Sequence, residues 1–395
     1  MNSYANQRNQ NGIWTIILLG IIVLYQLQGI AYPQGMINKG IALVELAICG
    51  VFLIQTIFSE NVSKIAKSLL ALIVVVLISY AVSDKIIHGV ALETANTFGF
   101  FRGFCGAVLP FYAFYCLSRK GEININIIKT FFVISFIISL IIFVQTMATL
   151  EPEDLENTTI NASYRFVALL PFLGLFRKRW GYVFLTISFL VALVSAKRGA
   201  ILCVSAVLLV YSVFNVRNSK HPVRDFILTI AFFGLLAVAV RHIYLNSPYL
   251  QYKAENTLEG NSSGRDIIFS KLWNYYKDNT EAQQFLFGYG FCSTVNIAGK
   301  YAHNDWVELL IDTGLVGFVC MAVFVVMLCG TYRRNRPDSM TRLLIIVAFT
   351  LPTFFSMVIF SESTSSIFIL LGYLLGNEEF LAEHYPYAMT ATTSR

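Results

Sequence analysis

Long apolar runs separated by short polar stretches make up nearly the whole chain. A helix that crosses a bilayer needs about 20 apolar residues. About twelve stretches of that kind can be marked: 13–31, 40–58, 65–82, 98–117, 127–149, 162–176, 180–196, 199–215, 226–245, 306–330, 341–360 and 364–376. The pattern predicts an all-α integral membrane protein of about twelve transmembrane helices, with one long outer loop that contains short amphipathic helices. Nine spans form a bundle over 1–245, the loop covers 246–305, three more spans cover 306–376, and a tail takes 377–395. The first span follows the polar "MNSYANQRNQNG" with no small-residue cleavage site, so a retained signal anchor is expected.

Composition agrees. The 395 residues are 56% hydrophobic and 13% charged, too apolar for an ordinary soluble domain. Of the seven cysteines only Cys292 lies in the long polar loop, so neither a disulfide framework nor a metal-binding spacing is present. The formal charge of +6 sits in short loops between spans, where it sets orientation rather than binding nucleic acid. Lys64 and Lys67, Arg119 and Lys120, Arg177 to Arg179, Arg217 to Arg224, and Arg333 to Arg342 occupy every second loop, which places those loops and both termini in the cytoplasm. The acidic "EPEDLENTT" and the long loop then face outward.

One loop departs from this charge rule. "SAKRGA", Ser195 to Ala200, carries Lys197 and Arg198 on the expected outer face. Arg102, Arg165 and Arg241 also fall near outer span ends, and Arg265 lies in the long loop. Singly, arginines at span ends can simply snorkel to the interface. Together they suit a polyanionic lipid headgroup, because the guanidinium fork binds phosphate oxygens in pairs.

Within the long loop, Ser263 and Asp266 have capping-box spacing and predict a helix through "IIFSKLWNYYK", with apolar Ile267, Ile268, Leu272, Tyr275 and Tyr276. Arg265 would stand in its first turn, where free N–H groups and the helix dipole favour an anion. "FGYGF", Phe287 to Phe291, predicts a turn of a re-entrant or lid segment and is not a phosphate loop.

In "KYAHNDWVELLIDTGLVGF", a helix is expected to start at Asn304 or Asp305, with Asp305 and Glu308 as a second capping box and His303 just before the N-terminus. Glu308 and Asp312 share a face at i, i+4, predicting a short amphipathic turn at the interface before Gly314 and Gly317 lead into the bilayer. The positive helix end and nearby arginines favour a neutral imidazole at His303, which can act as a base. His88, His221, His242 and His384 lack such surroundings, and no second ligand stands at metal spacing from His303.

These last segments carry a resemblance. "HN", nine residues and "GLVG" resemble the histidine motif of the O-antigen polymerase and O-antigen ligase superfamily; "SAKRGA" is similar to its serine-arginine-small motif, and "SSGRD" with "FLFGYG" to its loop arginine segment. The motifs come in family order over roughly residues 195 to 318. Lys197 stands where many members have serine or threonine, and the first half of the chain has no comparable motif. The resemblance implies a GT-C-like glycosyltransferase of the bacterial inner membrane, active at the periplasmic face without a cofactor or metal. Its donor and acceptor would be undecaprenyl diphosphate-linked glycans, and membrane lipid and a chain-length regulator protein its further partners. His303, Arg265 and Arg198 occupy the positions the family treats as functional, as base and leaving-group clamps; Lys197, Arg241, Arg165, Arg102 and Asn304 are candidates for substrate binding. Two reactions share this chemistry: polymerisation of lipid-linked repeat units, and ligation of the polymer to lipid A core. A transporter or flippase is a third possibility, disfavoured because the cations cluster at outer ends and no repeat symmetry is visible.

Overall fold

A computed structural model describes residues 12–31, 35–83, 97–149, 162–258, 264–334 and 336–385. His88, Ser263, the polar N-terminal stretch and the acidic segment 151–159 lie outside the described residues. The helices in chain order are α1 (Ile13–Ala31), α2 (Met36–Ile57), α3 (Lys64–Val82), α4 (Thr97–Val108), α5 (Pro110–Arg119), α6 (Ile125–Ala148), α7 (Ser163–Leu169), α8 (Lys178–Val194), α9 (Arg198–Arg217), α10 (Pro222–Leu245), α11 (Pro248–Leu258), α12 (Arg265–Asn279), α13 (Ala282–Phe287), α14 (Ser293–Ala298), α15 (Asp305–Cys329), α16 (Ser339–Thr350) and α17 (Ser365–His384). No strand occurs among the described residues.

Among the described residues, seven helical stretches are long and apolar enough to cross a membrane: Met36–Ile57, Lys64–Val82, Thr97–Arg119 (α4 with α5), Ile125–Ala148, Arg198–Arg217, Pro222–Leu245 and Asp305–Cys329. Thr97–Arg119 is largely buried, whereas α10 turns its large apolar side chains outward, with Leu235 74% and Val238 68% exposed. In lipid this costs nothing, whereas polar groups must find partners inside. The chain is a multi-pass membrane protein.

Three expected spans are interrupted. Pro110 starts a new helix within 97–119, because proline lacks the N–H that would continue α4. The span expected over 162–176 is a seven-residue helix followed by a 3-10 turn, Leu170–Leu175, that begins next to Pro171. The span expected over 341–360 stops as a helix at Thr350, makes a 3-10 turn at Pro352–Phe354 and continues as irregular backbone.

The chain divides into two compact units. The first takes 1–41, 124–261 and 335–348; the second takes 42–123, 262–334 and 349–395. In the first, α7 to α10 follow one another through short turns and run antiparallel. Lys178 at the start of α8 pairs with Asp225 at the start of α10, Nζ to Oδ2 2.5 Å, which ties those two starts to one end of the unit. In the second, α17 lies on α5 through "GYLLG": a Cβ on Gly372 would stand 2.4 Å from the Phe111 carbonyl oxygen, and one on Gly376 2.3 Å from that of Tyr115. Small residues at this spacing let two membrane helices touch backbone to backbone.

Candidate functional site

The helix after His303 begins where the sequence predicts, but a different residue caps it. Asn304 is the N-cap: its Oδ1 accepts from the Trp306 and Val307 amides at 3.0 and 3.1 Å, and its Nδ2 donates to the Phe354 carbonyl at 3.1 Å. The expected Asp305–Glu308 capping box does not form. Asp305, Glu308 and Asp312 are all 0% exposed, so the expected amphipathic turn at the interface is an inward-facing acidic row.

Each carboxylate in that row takes backbone amides from a segment outside any helical ladder. Asp305 Oδ2 accepts from Val358 and Ile359 at 3.0 and 3.2 Å, in the irregular stretch after α16. Asp312 accepts from the Cys292 amide at 2.8 Å through Oδ2 and from Ser293 at 2.9 Å through Oδ1. Glu308 accepts from the Ala302 amide at 2.9 Å through Oε2 and from the Thr294 hydroxyl through Oε1. Buried amides without partners are costly, and the carboxyl oxygens supply the acceptors that this irregular backbone lacks.

The glycines explain the remaining backbone. Gly314 breaks α15 with φ 66°, ψ −163°, which frees the carbonyls before it. The Tyr289 amide donates to Ile311 O at 2.9 Å and the Gly290 amide to Asp312 O at 3.2 Å, while Ser79 Oγ adds a bond to Asp312 O at 2.8 Å. "FGYGF" is therefore stitched to the break in α15 rather than lying over it as a separate flap. Phe291 then sits among Tyr80, Phe100, Phe101 and Phe360, with ring centroids 5.7 to 6.0 Å away.

His303 projects from this scaffold. It is exposed and takes a left-handed φ of 52°, a conformation uncommon outside glycine. Arg265 is the first residue of α12, as expected, and its N-cap is Gly264, at φ 78°. Of the apolar residues predicted for this helix, Ile268 and Leu272 are buried, in one small core with Ala302 and Ile311, while Ile267 is left exposed. The helix that opens with Arg265 and the turn that carries His303 are thus packed on each other.

Arg102 belongs to the same unit and pairs with Glu362, Nε to Oε1 3.1 Å, a partner the sequence reading did not foresee. The helix that bears it brings Phe100 onto Tyr301 and Phe360, at 4.5 and 4.8 Å, two residues from His303 and Glu362 respectively. Burial, with Asp312 and Glu308 nearby, pushes the Cys292 thiol up, and burial pushes the Tyr301 hydroxyl up as well. Both shifts favour the protonated forms.

The other candidate cations lie in the first unit. Lys197 is the N-cap of α9 and Arg198 its exposed first residue, after a turn in which Ala196 takes φ 49°. Arg165 is half-buried on α7, and Arg241 is exposed near the end of α10. Antiparallel connectivity places Arg165, Lys197, Arg198 and Arg241 at one end of that unit, opposite the Lys178–Asp225 pair.

The inward direction of the acidic row differs from the interfacial turn that the sequence predicts. Its signal is present: carboxylates at i, i+3 and i+7 on one face of an apolar helix, with no cation at i±4, must find donors elsewhere.

A family model described as O-antigen ligase matches residues 182–322, from within α8 to within α15. No curated protein matches the chain. The match takes in the Lys197–Arg198 turn, Arg265, the glycine turn, His303 and the break at Gly314, so over these residues the chain is similar to the O-antigen ligase family.

Proposed function

We propose that this chain is a polymerase of lipid-linked surface polysaccharide, an inverting glycosyltransferase that joins undecaprenyl diphosphate-linked repeat units at the periplasmic face of the bacterial inner membrane, with both termini in the cytoplasm. Members of the family whose model matches residues 182–322 are glycosyltransferase-like enzymes that act on lipid-linked glycans, which supports this reading. The observation that carries the reading is the shared core of Ile268, Leu272, Ala302 and Ile311, which mounts Arg265 at one helix start beside the turn of His303.

His303 accepts the proton of the acceptor sugar hydroxyl as that oxygen attacks the anomeric carbon. The bond from that carbon to the lipid diphosphate breaks, and the diphosphate departs with the electron pair. Arg265 meets this developing charge from the N-terminal turn of α12, where the helix dipole also favours an anion. Arg198 is assigned the same role from its sequence motif, and its own helix start has the same character. Lys197, Arg102, Arg165, Arg241 and Asn304 contribute headgroup and sugar contacts. A single displacement inverts the anomeric configuration.

The description of the matching family favours a second reading, ligation of the finished polymer to lipid A core. Purified protein given undecaprenyl diphosphate-linked repeat units, with and without lipid A core, separates the two. Polymer formed without core supports the polymerase; transfer only when core is added overturns it.

A further inference from the structure

His303 holds a left-handed backbone conformation although it is neither glycine nor buried. Such a conformation persists only where the surroundings over-determine it. Here both flanks are pinned. On the C-terminal side, Asn304 caps α15 and holds the Phe354 carbonyl, while Asp305 takes two amides of the 358–359 segment. On the N-terminal side, the Ala302 amide is held by one side chain, that of Glu308, which reaches back from the first turns of α15 and is itself oriented by the Thr294 hydroxyl. Ala302, Glu308 and Thr294 are all 0% exposed, so these bonds are closed off from bulk solvent.

We propose that Glu308, oriented by Thr294, is a positioning residue for His303: through the Ala302 amide it fixes the turn that aims the imidazole at the acceptor hydroxyl. This rests on the reading of His303 as the base. A displacement of about 1 Å in a catalytic group can cost on the order of a hundredfold in rate, so the anchor acts on turnover rather than on lipid binding.

The test is a double-mutant cycle on the full-length purified protein, assayed for chain extension with undecaprenyl diphosphate-linked oligosaccharide repeat units. Glu308→Ala is expected to lower kcat on the order of tenfold to a hundredfold with KM changed by less than about threefold. Glu308→Gln, which keeps an oxygen for the Ala302 amide, is expected to restore kcat to within a few-fold of the parent. In a His303→Gln background, Glu308→Ala should cost almost nothing more, because its effect passes through the missing imidazole. Losses that multiply across the cycle, a Glu308→Gln variant as slow as Glu308→Ala, or a rise in KM alone would overturn the proposal. If Glu308→Ala does not fold, Thr294→Val takes its place: it keeps the volume and removes the hydroxyl, and should lower kcat in the parent but not in the His303→Gln background, an equal loss in both overturning the idea. The reading of His303 as base fails separately, by normal kcat in His303→Gln alone.

Discussion

The backbones of Gly288 and Gly314 touch. A Cβ on Gly314 would stand 2.5 Å from the Gly288 nitrogen, and one on Gly288 would stand 2.5 Å from the Asp312 carbonyl carbon and the Thr313 nitrogen. Both glycines are left-handed, at φ 66° and 76°. An alanine at either position meets backbone on one side and a disfavoured φ on the other, so Gly288→Ala and Gly314→Ala should each destabilise by about 1–3 kcal/mol or more. Gly20→Ala, with nothing within 4 Å of the new methyl, is the neutral control. Thermal melts in detergent check this, and equal midpoints for all three would contradict the contact.

Arg265→Ala and Arg198→Ala should each abolish polymer formation while leaving the melting temperature near that of the parent. Neither side chain is in a packed core: Arg198 is exposed and Arg265 half-buried. Lysine should rescue only in part, since it lacks the bidentate fork. Normal polymer length from Arg265→Ala would remove it from the mechanism.

His303→Gln should lose on the order of a hundredfold or more in turnover with little change in stability. Asn304, not His303, caps α15, so loss of the imidazole leaves the helix start intact. Single-turnover rates with repeat units already bound test this without interference from product release. A variant within a few-fold of the parent would sink the base.

Turnover should survive chelation of divalent cations. Arginines carry the charge of the leaving diphosphate in this mechanism. Loss of activity in EDTA, restored by one metal, would assign that role elsewhere.

Cys292 should resist a water-soluble maleimide in the folded protein. It is 0% exposed, and its thiol is held protonated by burial and by the neighbouring carboxylates. Rapid labelling of Cys292 in folded protein would mean that the glycine turn does not stay docked.

Helix ends proved legible where the cause is local. The apolar run 13–31 is the helix Ile13–Ala31, and the span expected over 306–330 is Asp305–Cys329. Arg265 at a helix start and His303 just before one were visible for the same reason. The acidic row was not, because Asp305 answers to Val358 and Ile359, more than 50 residues away, and local spacing made it look like a cap. The broken span after Thr350 fails on the same long-range link: apolar residues there predict a helix, yet two of their amides belong to Asp305. Arg102 looked like a cation awaiting a headgroup until the fold set Glu362 beside it.

The stitching of Tyr289 and Gly290 onto Ile311 and Asp312 bears on how such proteins can be recombined. A chimera that imports a foreign outer loop but keeps its own α15 would bring donors whose acceptors were shaped by another sequence. The exchangeable module therefore runs from the start of α12 through the break at Gly314 and on to Ile359, because Asn304 and Asp305 hold the 354–359 segment. A graft that respects that boundary should insert and fold; one cut at the membrane surface should not.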